Sequence, residues 1–434
     1  MNLRILDLRR IDLYEFKRKL KKEKLFPEDA EIRVKKIIDD IYNRGDDALI
    51  EYTEKFDRCA IPKEEIRVRN DELDMLSNCI DSSFLESIKL SIERVRRFHN
   101  HSIPRDWAFI DDLGNVLGQK YTPIENVGIY IPGGKAAYPS TLVMTAVIAH
   151  VAGVKNISVI TPPGSFEKPS VIAATVKAIG GIKNVYRVGG VQGIAAIAFG
   201  TQIVNKVDKI IGPGNLYVAI AKKLLYGIVD IDMIAGPSEV LIIADGSIDI
   251  NYTAFDLIAQ AEHDEAARPI CITFDLEYAK ELTNRVRELV LDNPRKDIAE
   301  KSIQNNGVVY VVEDINDAID IANTIAPEHL EIQTSNARAI AAKIRNAGAI
   351  FIGENSAEAF GDYISGPSHV LPTGGTARFF SPLNLMSFYK VSSVIEMSEK
   401  GSSVLGDHAI QIAKKEGLFG HANSINIRRR KNNG

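Results

Sequence analysis

From Gly128 onward the chain alternates short runs of β-branched residues with alanine-rich stretches of helical spacing, and this alternation constrains its fold more than any other feature. VGIYI (127–131) is followed by a helical pattern over 141–151. Next come NISVITP, a helix over 170–178, NVYRVGG, a helix over 192–198 and VDKIIGPGN. Strands joined by compact helical crossovers predict a parallel sheet covered by helices on both faces. A second unit repeats the pattern with EVLIIAD, a helix over 251–263, ARPICITFD, a helix over 278–290, GVVYVV, a helix over 315–325 and GAIFIG. The expected fold is therefore α/β, with two tandem incomplete Rossmann-like domains.

The N-terminal hundred residues read as mainly helical. Ile32, Val34, Ile37, Ile38, Ile41, Tyr42, Ala48, Leu49 and Tyr52 follow helical spacing, broken by the turn signal Asn43-Arg44-Gly45. A third amphipathic helix is expected over 81–98. Beyond residue 380 strand signals fade, and 402–416 reads as a helix ending at Gly417 within a small C-terminal appendage. Texture alone places 1–27 as an N-terminal extension, 128–238 as a Rossmann-like domain and 381–434 as the appendage. Residues 28–127 plus 239–380 would make a discontinuous α/β domain.

With 434 residues, 45% hydrophobic and 25% charged, the composition is that of a globular protein of two or three domains. A formal net charge of -4 gives no whole-protein field for nucleic acid or acidic membranes. The basic runs at 17–24 and 428–431 read as a solvated helix face and a chain end. Cys59, Cys79 and Cys271 have no short spacing, so neither a disulfide framework nor a thiolate zinc site is indicated, and a reducing cytoplasm is the simplest setting. No signal peptide or membrane-spanning run is read in the chain.

Four late segments, QAEHD (260–264), PEHLE (327–331), GDYISGPSHVLPTGGTAR (361–378) and EGLFGHANS (416–424), hold His263, His329, His369 and His421, four of the eight histidines. Gln260 and His263, three apart on an expected helix, would share a face. Asp362 in a Gly-Asp-Tyr turn and His421 in a Gly-His-Ala loop would add an oxygen and a second imidazole, a set suited to zinc, cobalt or manganese. Glu328 and His329 follow Pro327; on a helix their side chains would diverge, and a carboxylate that activates water beside an imidazole that accepts a proton makes an acid/base pair. Glu328 could equally be a first-turn residue favoured by a helix dipole. In the 128–238 unit Tyr130 precedes Pro132-Gly133-Gly134, Gln192 follows Gly189-Gly190, and Asn215 closes Gly212-Pro213-Gly214. Such turns suit phosphate binding beyond strand ends, although none forms GxGxxG after the first strand and each has a steric explanation.

These segments, together with GDDALIEYTEKFD (45–57), VGIYIPGGKAAYPST (127–141), VGGVQGIAAIAFGT (188–201), VDKIIGPGN (207–215) and AGPSEVLIIAD (235–245), resemble the histidinol dehydrogenase family over essentially the whole chain. The resemblance implies an enzyme with one Zn2+ per subunit that oxidises L-histidinol through L-histidinaldehyde to L-histidine with reduction of two NAD. It implies Gln260, His263, Asp362 and His421 as metal ligands and Glu328 and His329 as the catalytic pair. Tyr130, Gln192 and Asn215 would contact NAD. Ser238, His329 and Glu416, with the ligand residues Gln260, His263, Asp362 and His421, would hold the substrate. It also implies a homodimer whose C-terminal segment completes the partner's site, a cytoplasmic setting, and no nucleic-acid or membrane partner. The chain departs from the family pattern at Thr145 and Ile148, where no role is carried over. Competing readings are a relative acting on another amino or sulfonated alcohol, a zinc hydrolase using Glu328 as base, and a noncatalytic metal-binding module.

Overall fold

A computed structural model describes residues 3–20, 27–78, 80–133 and 137–430. Cys79, Gly134 of the Pro132-Gly133-Gly134 turn, and parts of the basic runs at 17–24 and 428–431 lie outside the described residues. The chain divides into two compact units, residues 1–101 with 125–387 and residues 102–124 with 388–434.

The first unit is α/β and contains two wholly parallel sheets. A five-stranded sheet has the spatial order Asn184–Tyr186, Asn156–Ile160, Asn126–Tyr130, Lys209–Ile211, Asp230–Ile231. Chain direction across the sheet reverses between Asn126–Tyr130 and Lys209–Ile211, which is the switch point of a Rossmann-like arrangement. A six-stranded sheet runs Arg4–Asp7, Val308–Val311, Arg268–Thr273, Glu239–Ala244, His329–Gln333, Ala349–Ile352. Its own switch point falls between Glu239–Ala244 and His329–Gln333.

Strand side chains alternate between faces, and here both faces are apolar. Val240, Ile242, Cys271, Val309 and Val311 join one buried cluster with the helices Ile250–Ala261 and Leu276–Val290. Leu241, Ile243, Ile270, Ile272, Leu330 and Ile332 join another with the helix Ile315–Ile325. Each fully buried aliphatic side chain of this kind contributes roughly 1.5–3 kcal/mol. This alternation also aims the polar residues: with Leu330 and Ile332 on one face, His329, Glu331 and Gln333 face the helix Ile250–Ala261.

Two expectations about the N-terminal region change. The helices Glu28–Arg44 and Asp46–Asp57, hinged at Gly45 with φ of 58°, bury Val34, Ile38, Ile41, Leu49 and Tyr52 in one cluster with Ile194, Ile197, Ile210 and Val218. They therefore pack on the five-stranded unit rather than with residues 239–380. Ile32 and Tyr42 fall off that stripe and are exposed. The expected extension 1–27 supplies Arg4–Asp7, an edge strand hydrogen-bonded to Val308–Val311.

The second unit is a three-stranded antiparallel sheet in the order Tyr389–Glu396, Val116–Pro123, Trp107–Ile110, followed by the helices Glu399–Lys415 and Phe419–Arg430. The strand at 389–396 was not expected, because its sequence, YKVSSVIE, lacks a clean alternation. Residues 102–124, expected to belong to the discontinuous α/β domain, supply its partner strands. Ile110, Ile395, Ile412, Phe419 and Ile427 are all exposed. Among the described residues, no helix is long and apolar enough to cross a membrane.

Candidate active site

Glu328 and His329 open a strand rather than a helix. The helix Ile315–Ile325 stops at Ala326, which takes a left-handed conformation with φ of 53°, and His329–Gln333 then enters the sheet between Glu239–Ala244 and Ala349–Ile352. The first-turn reading of Glu328 therefore fails. Gly348 donates to the Pro327 carbonyl at 2.9 Å, and a Cβ there would lie 2.5 Å from the Glu328 carbonyl oxygen, so only glycine fits without movement of the backbone.

Both side chains are buried. Glu328 Oε2 accepts from the Glu239 backbone N–H at 2.9 Å, and the Ser238 hydroxyl also bonds this carboxyl. Burial raises the Glu328 pKa well above the ordinary carboxylate value; the neighbouring acids Glu239 and Asp362 add to the rise, and the Glu239 N–H opposes it. His329 Nδ1 lies 3.3 Å from the Glu239 carbonyl oxygen and 3.9 Å from both Glu328 Oε2 and Glu358 Oε2, while Nε2 lies 3.9 Å from Asp362 Oδ1. Desolvation pulls the imidazole down to about 4, so it is neutral near pH 7 and able to accept a proton. Glu239, itself buried, accepts from Arg268 at 3.2 Å and from the Gly374 N–H at 3.0 Å, which ties the Glu328 support to the loop at 373–375.

Beside this pair stands a group of potential metal ligands. Ligand atoms of His263, Glu358 and Asp362 lie within 4.8 Å of one another. Gln260, fully buried in the last turn of Ile250–Ala261, faces Glu358, and its carboxamide joins this group by hydrogen bonds when it is oriented with the nitrogen toward that carboxylate. His263 sits just past the helix end, its N–H donating to the Gln260 carbonyl at 3.3 Å. Glu262 and Asp264 turn away, to Asn293 and to the Ala266 N–H. Asp362 stands in the short helix Glu358–Tyr363 rather than in a turn. Its carbonyl contacts His369 Nδ1 at 2.9 Å, and His369 Nε2 lies 3.0 Å from the Thr141 hydroxyl. Nitrogen and oxygen donors converging in this way fit a zinc-class cation.

Glu416 and His421 are not part of this group. They lie on the second unit, both exposed, Glu416 at the end of one helix and His421 inside the helix Phe419–Arg430 rather than in a loop. In the first unit a cavity of about 880 Å³ is lined by His329, Asp362 and His369 together with Leu90, Arg94 and Phe351.

At the five-stranded sheet, Tyr130 ends its strand and Asn215 follows the neighbouring strand across the switch point. Asn215 Oδ1 caps the helix Leu216–Leu225, accepting from Tyr217 and Val218 N–H at 3.1 Å each. Gly212, with φ of 112°, lets the loop pass so close to Tyr130 that an added Cβ would lie 2.1 Å from its carbonyl oxygen. Lys222 Nζ donates to the Gly212 carbonyl at 2.9 Å and pairs with buried Asp232, which accepts from the Gly212 N–H at 2.7 Å. Gln192, at the start of Gly190–Phe199, donates to Asp57 at 3.2 Å, and its own buried Oε1 has no hydrogen-bond partner among the described residues. Burial pushes the Tyr130 hydroxyl up to about 12.

A sequence profile described as histidinol dehydrogenase matches residues 20–429. The chain belongs to the histidinol dehydrogenase family. It is 47% identical over 411 residues to the histidinol dehydrogenase of Carboxydothermus hydrogenoformans, covering 94% of this chain and 96% of that one. To that of Aquifex aeolicus it is 43% identical over 431 residues, covering 98% and 100%. The crystal structure of histidinol dehydrogenase from Elizabethkingia anophelis superposes with a TM-score of 0.92 at 35% identity, covering 100% of this chain and 99% of that one. As a member of the histidinol dehydrogenase family the chain is an NAD-dependent oxidoreductase of histidine biosynthesis.

Sequence reasoning did not single out Glu239, Glu358 or Thr141, and gave His369 no role. Glu358 carried a signal, since it stands four residues before Asp362 and the two share a helix face. The departures at Thr145 and Ile148 are buried in the helix Pro139–Ala152; the Thr145 hydroxyl donates to the Thr141 carbonyl at 2.6 Å and so adds no unsatisfied group. Cys271 is a buried strand residue whose thiol is pushed up by desolvation, so no nucleophilic role attaches to it.

Proposed function

We propose that this chain oxidises L-histidinol through L-histidinaldehyde to L-histidine, using the Glu328–His329 pair for proton transfer in both steps. The observation that carries the reading is this buried pair, of which His329 lines the cleft together with Asp362 of the His263, Glu358 and Asp362 group. His329, neutral near pH 7, takes the hydroxyl proton of histidinol as its carbinol hydrogen leaves as hydride. Glu328, once deprotonated, takes a proton from the water that attacks the aldehyde, and His329, having released its first proton to solvent, removes a proton from the resulting gem-diol in the second oxidation. Tyr130, Gln192 and Asn215 would hold NAD, and two successive NAD molecules would each supply the acceptor for one hydride. The unpartnered Gln192 Oε1 supports that placement, because a buried acceptor is satisfied by a ligand N–H or O–H.

Zinc, held by Gln260, His263, Asp362 and His421, would supply a charge that anchors substrate nitrogens. Ser238, His329 and Glu416 complete the substrate contacts in this reading, Glu416 by pairing with the substrate ammonium group. We assign the protein as a cytoplasmic homodimer in which Glu416 and His421 come from the partner. Two observations support the dimeric arrangement: the cleft at His329 is far larger than one histidinol, and the unit carrying Glu416 and His421 exposes several large apolar side chains.

The test is NADH formed per L-histidinol consumed at limiting substrate, with zinc supplied and again after chelation. A ratio near two that is lost with the metal is the expected result. A ratio near one indicates a simple alcohol dehydrogenase, and no NADH at all contradicts the assignment.

A further inference from the structure

A carboxamide has an oxygen end and a nitrogen end of almost the same shape, and only the oxygen can bind a cation. Something in the fold must therefore decide which end Gln260 presents. Its side chain is fully buried, so water does not make that choice. With Nε2 toward Glu358, the carboxamide donates to Oε1 at 2.9 Å and to Oε2 at 3.2 Å; turned over, it sets oxygen against carboxylate oxygen and loses both bonds.

Glu358 is well placed to impose this choice. It is 2% exposed and opens the helix that carries Asp362 one turn later. Its backbone N–H donates to Glu331 Oε1 at 2.8 Å. Glu331 is held in turn by the Gln333 carboxamide at 2.7 Å, and Gln333 also donates to Asp256 at 2.8 Å. Asp256 and Gln260 are on one helix, so the strand His329–Gln333, the helix Ile250–Ala261 and the helix Glu358–Tyr363 are locked together by one polar network.

We propose that Glu358 is a positioning residue that orients the Gln260 carboxamide, so that its oxygen and not its nitrogen faces the metal. The proposal rests on the reading that this group holds a divalent cation. Glu358 acts through Gln260, because both of its oxygens receive the carboxamide nitrogen in the one orientation of that amide that leaves oxygen facing no acceptor. Residues that orient ligands in this way typically change metal affinity by about 10- to 100-fold.

A double-mutant cycle on the full-length protein tests this, with zinc affinity read by competition against a chromophoric chelator and the ligand set read from the visible spectrum of bound Co2+. Glu358→Leu is expected to weaken zinc binding by about 10- to 100-fold and to change the cobalt spectrum. In a Gln260→Ala background the same change is expected to cost less than about threefold, since no carboxamide remains to be oriented. Glu358→Gln, which keeps the shape of the site and serves if the leucine variant does not fold, is expected to weaken zinc several-fold, because an amide at 358 accepts either orientation of Gln260. Equal losses in both backgrounds would make Glu358 a direct ligand and overturn the proposal, as would unchanged zinc affinity in both single variants. Absence of stoichiometric zinc binding by the unaltered protein would overturn the metal-site reading itself, and this inference with it.

Discussion

In the five-stranded sheet, Tyr130 and Asn215 stand at the carboxyl ends of neighbouring strands; in the six-stranded sheet, Glu239 and His329 stand at the amino ends. The two ends of a parallel strand leave different backbone groups outside the ladder, and each region uses what its end provides. At the amino end, the Glu239 N–H holds the Glu328 carboxylate. At the carboxyl end, the Gly212 carbonyl accepts from Lys222, and the turn it belongs to stays narrow because no Cβ intervenes. The proposed proton-transfer pair thus sits where side chains are dry and fixed by strands, and the proposed NAD contacts sit at turns and a helix start where backbone can approach a larger ligand. Thr141 joins the two regions, since its helix follows the Tyr130 strand and its hydroxyl meets His369.

If this division holds, substitutions at the two sheets have separable effects. His329→Asn removes the proton acceptor of both oxidations, and kcat is expected to fall about 10²- to 10⁴-fold with the KM for NAD little changed. Steady-state kinetics with NAD varied checks the split. A mixed dimer of His421→Ala and Glu328→Ala chains sharpens the comparison further: each pure variant is expected to form almost no L-histidine, and mixing restores L-histidine formation only if the amino-end site takes His421 from the partner. Gln192→Ala acts at the other sheet, leaving Asp57 without its amide donor. Its expected effect is a rise of about tenfold in the KM for NAD with a smaller change in kcat.

The smallest effect concerns stability and lies outside both sites. His99, buried in the helix Ser82–Asn100, has its pKa lowered to about 4 by desolvation. Its unfolded value lies near 6.5, so the unfolded chain binds the extra proton between these limits. The stabilisation is therefore fully present above about pH 6.5 and is lost as pH falls toward 4. Urea unfolding of the unaltered protein is expected to lose about 1 to 2 kcal/mol more between pH 7 and pH 5 than unfolding of His99→Gln.

The alternation of buried strands and helices made both parallel sheets legible, because a strand covered on both faces reads as a continuous apolar run, as in EVLIIA. Three of the N-terminal helices were legible from their spacing, with Asn43-Arg44-Gly45 marking the break between the first two, while Asn70–Ser77 was not read. Pro-Glu-His-Leu-Glu carries helix-start residues, yet it becomes a central strand because two neighbouring strands receive it, a tertiary effect invisible locally. Gln260, His263 and Asp362 could be named but not shown to meet; Glu358 escaped because it lies three residues before the segment at 361–378, and only its spacing to Asp362 pointed to it. The strand at 389–396 escaped because it is exposed on both faces, with Val391 and Ile395 on one and Val394 on the other, and so lacks the polar alternation of a half-buried strand.

Glu328 and His329 have separate tasks in the proposed reaction, and Glu328→Gln tests that separation directly when NADH and L-histidine are both measured against L-histidinol consumed. The expected result is alcohol oxidation at a near-normal rate with a slowed aldehyde step, so that the early ratio of NADH to histidinol falls from two toward one while histidine lags. Equal slowing of both oxidations, with the ratio held at two, would contradict the role of Glu328 as the group that activates water.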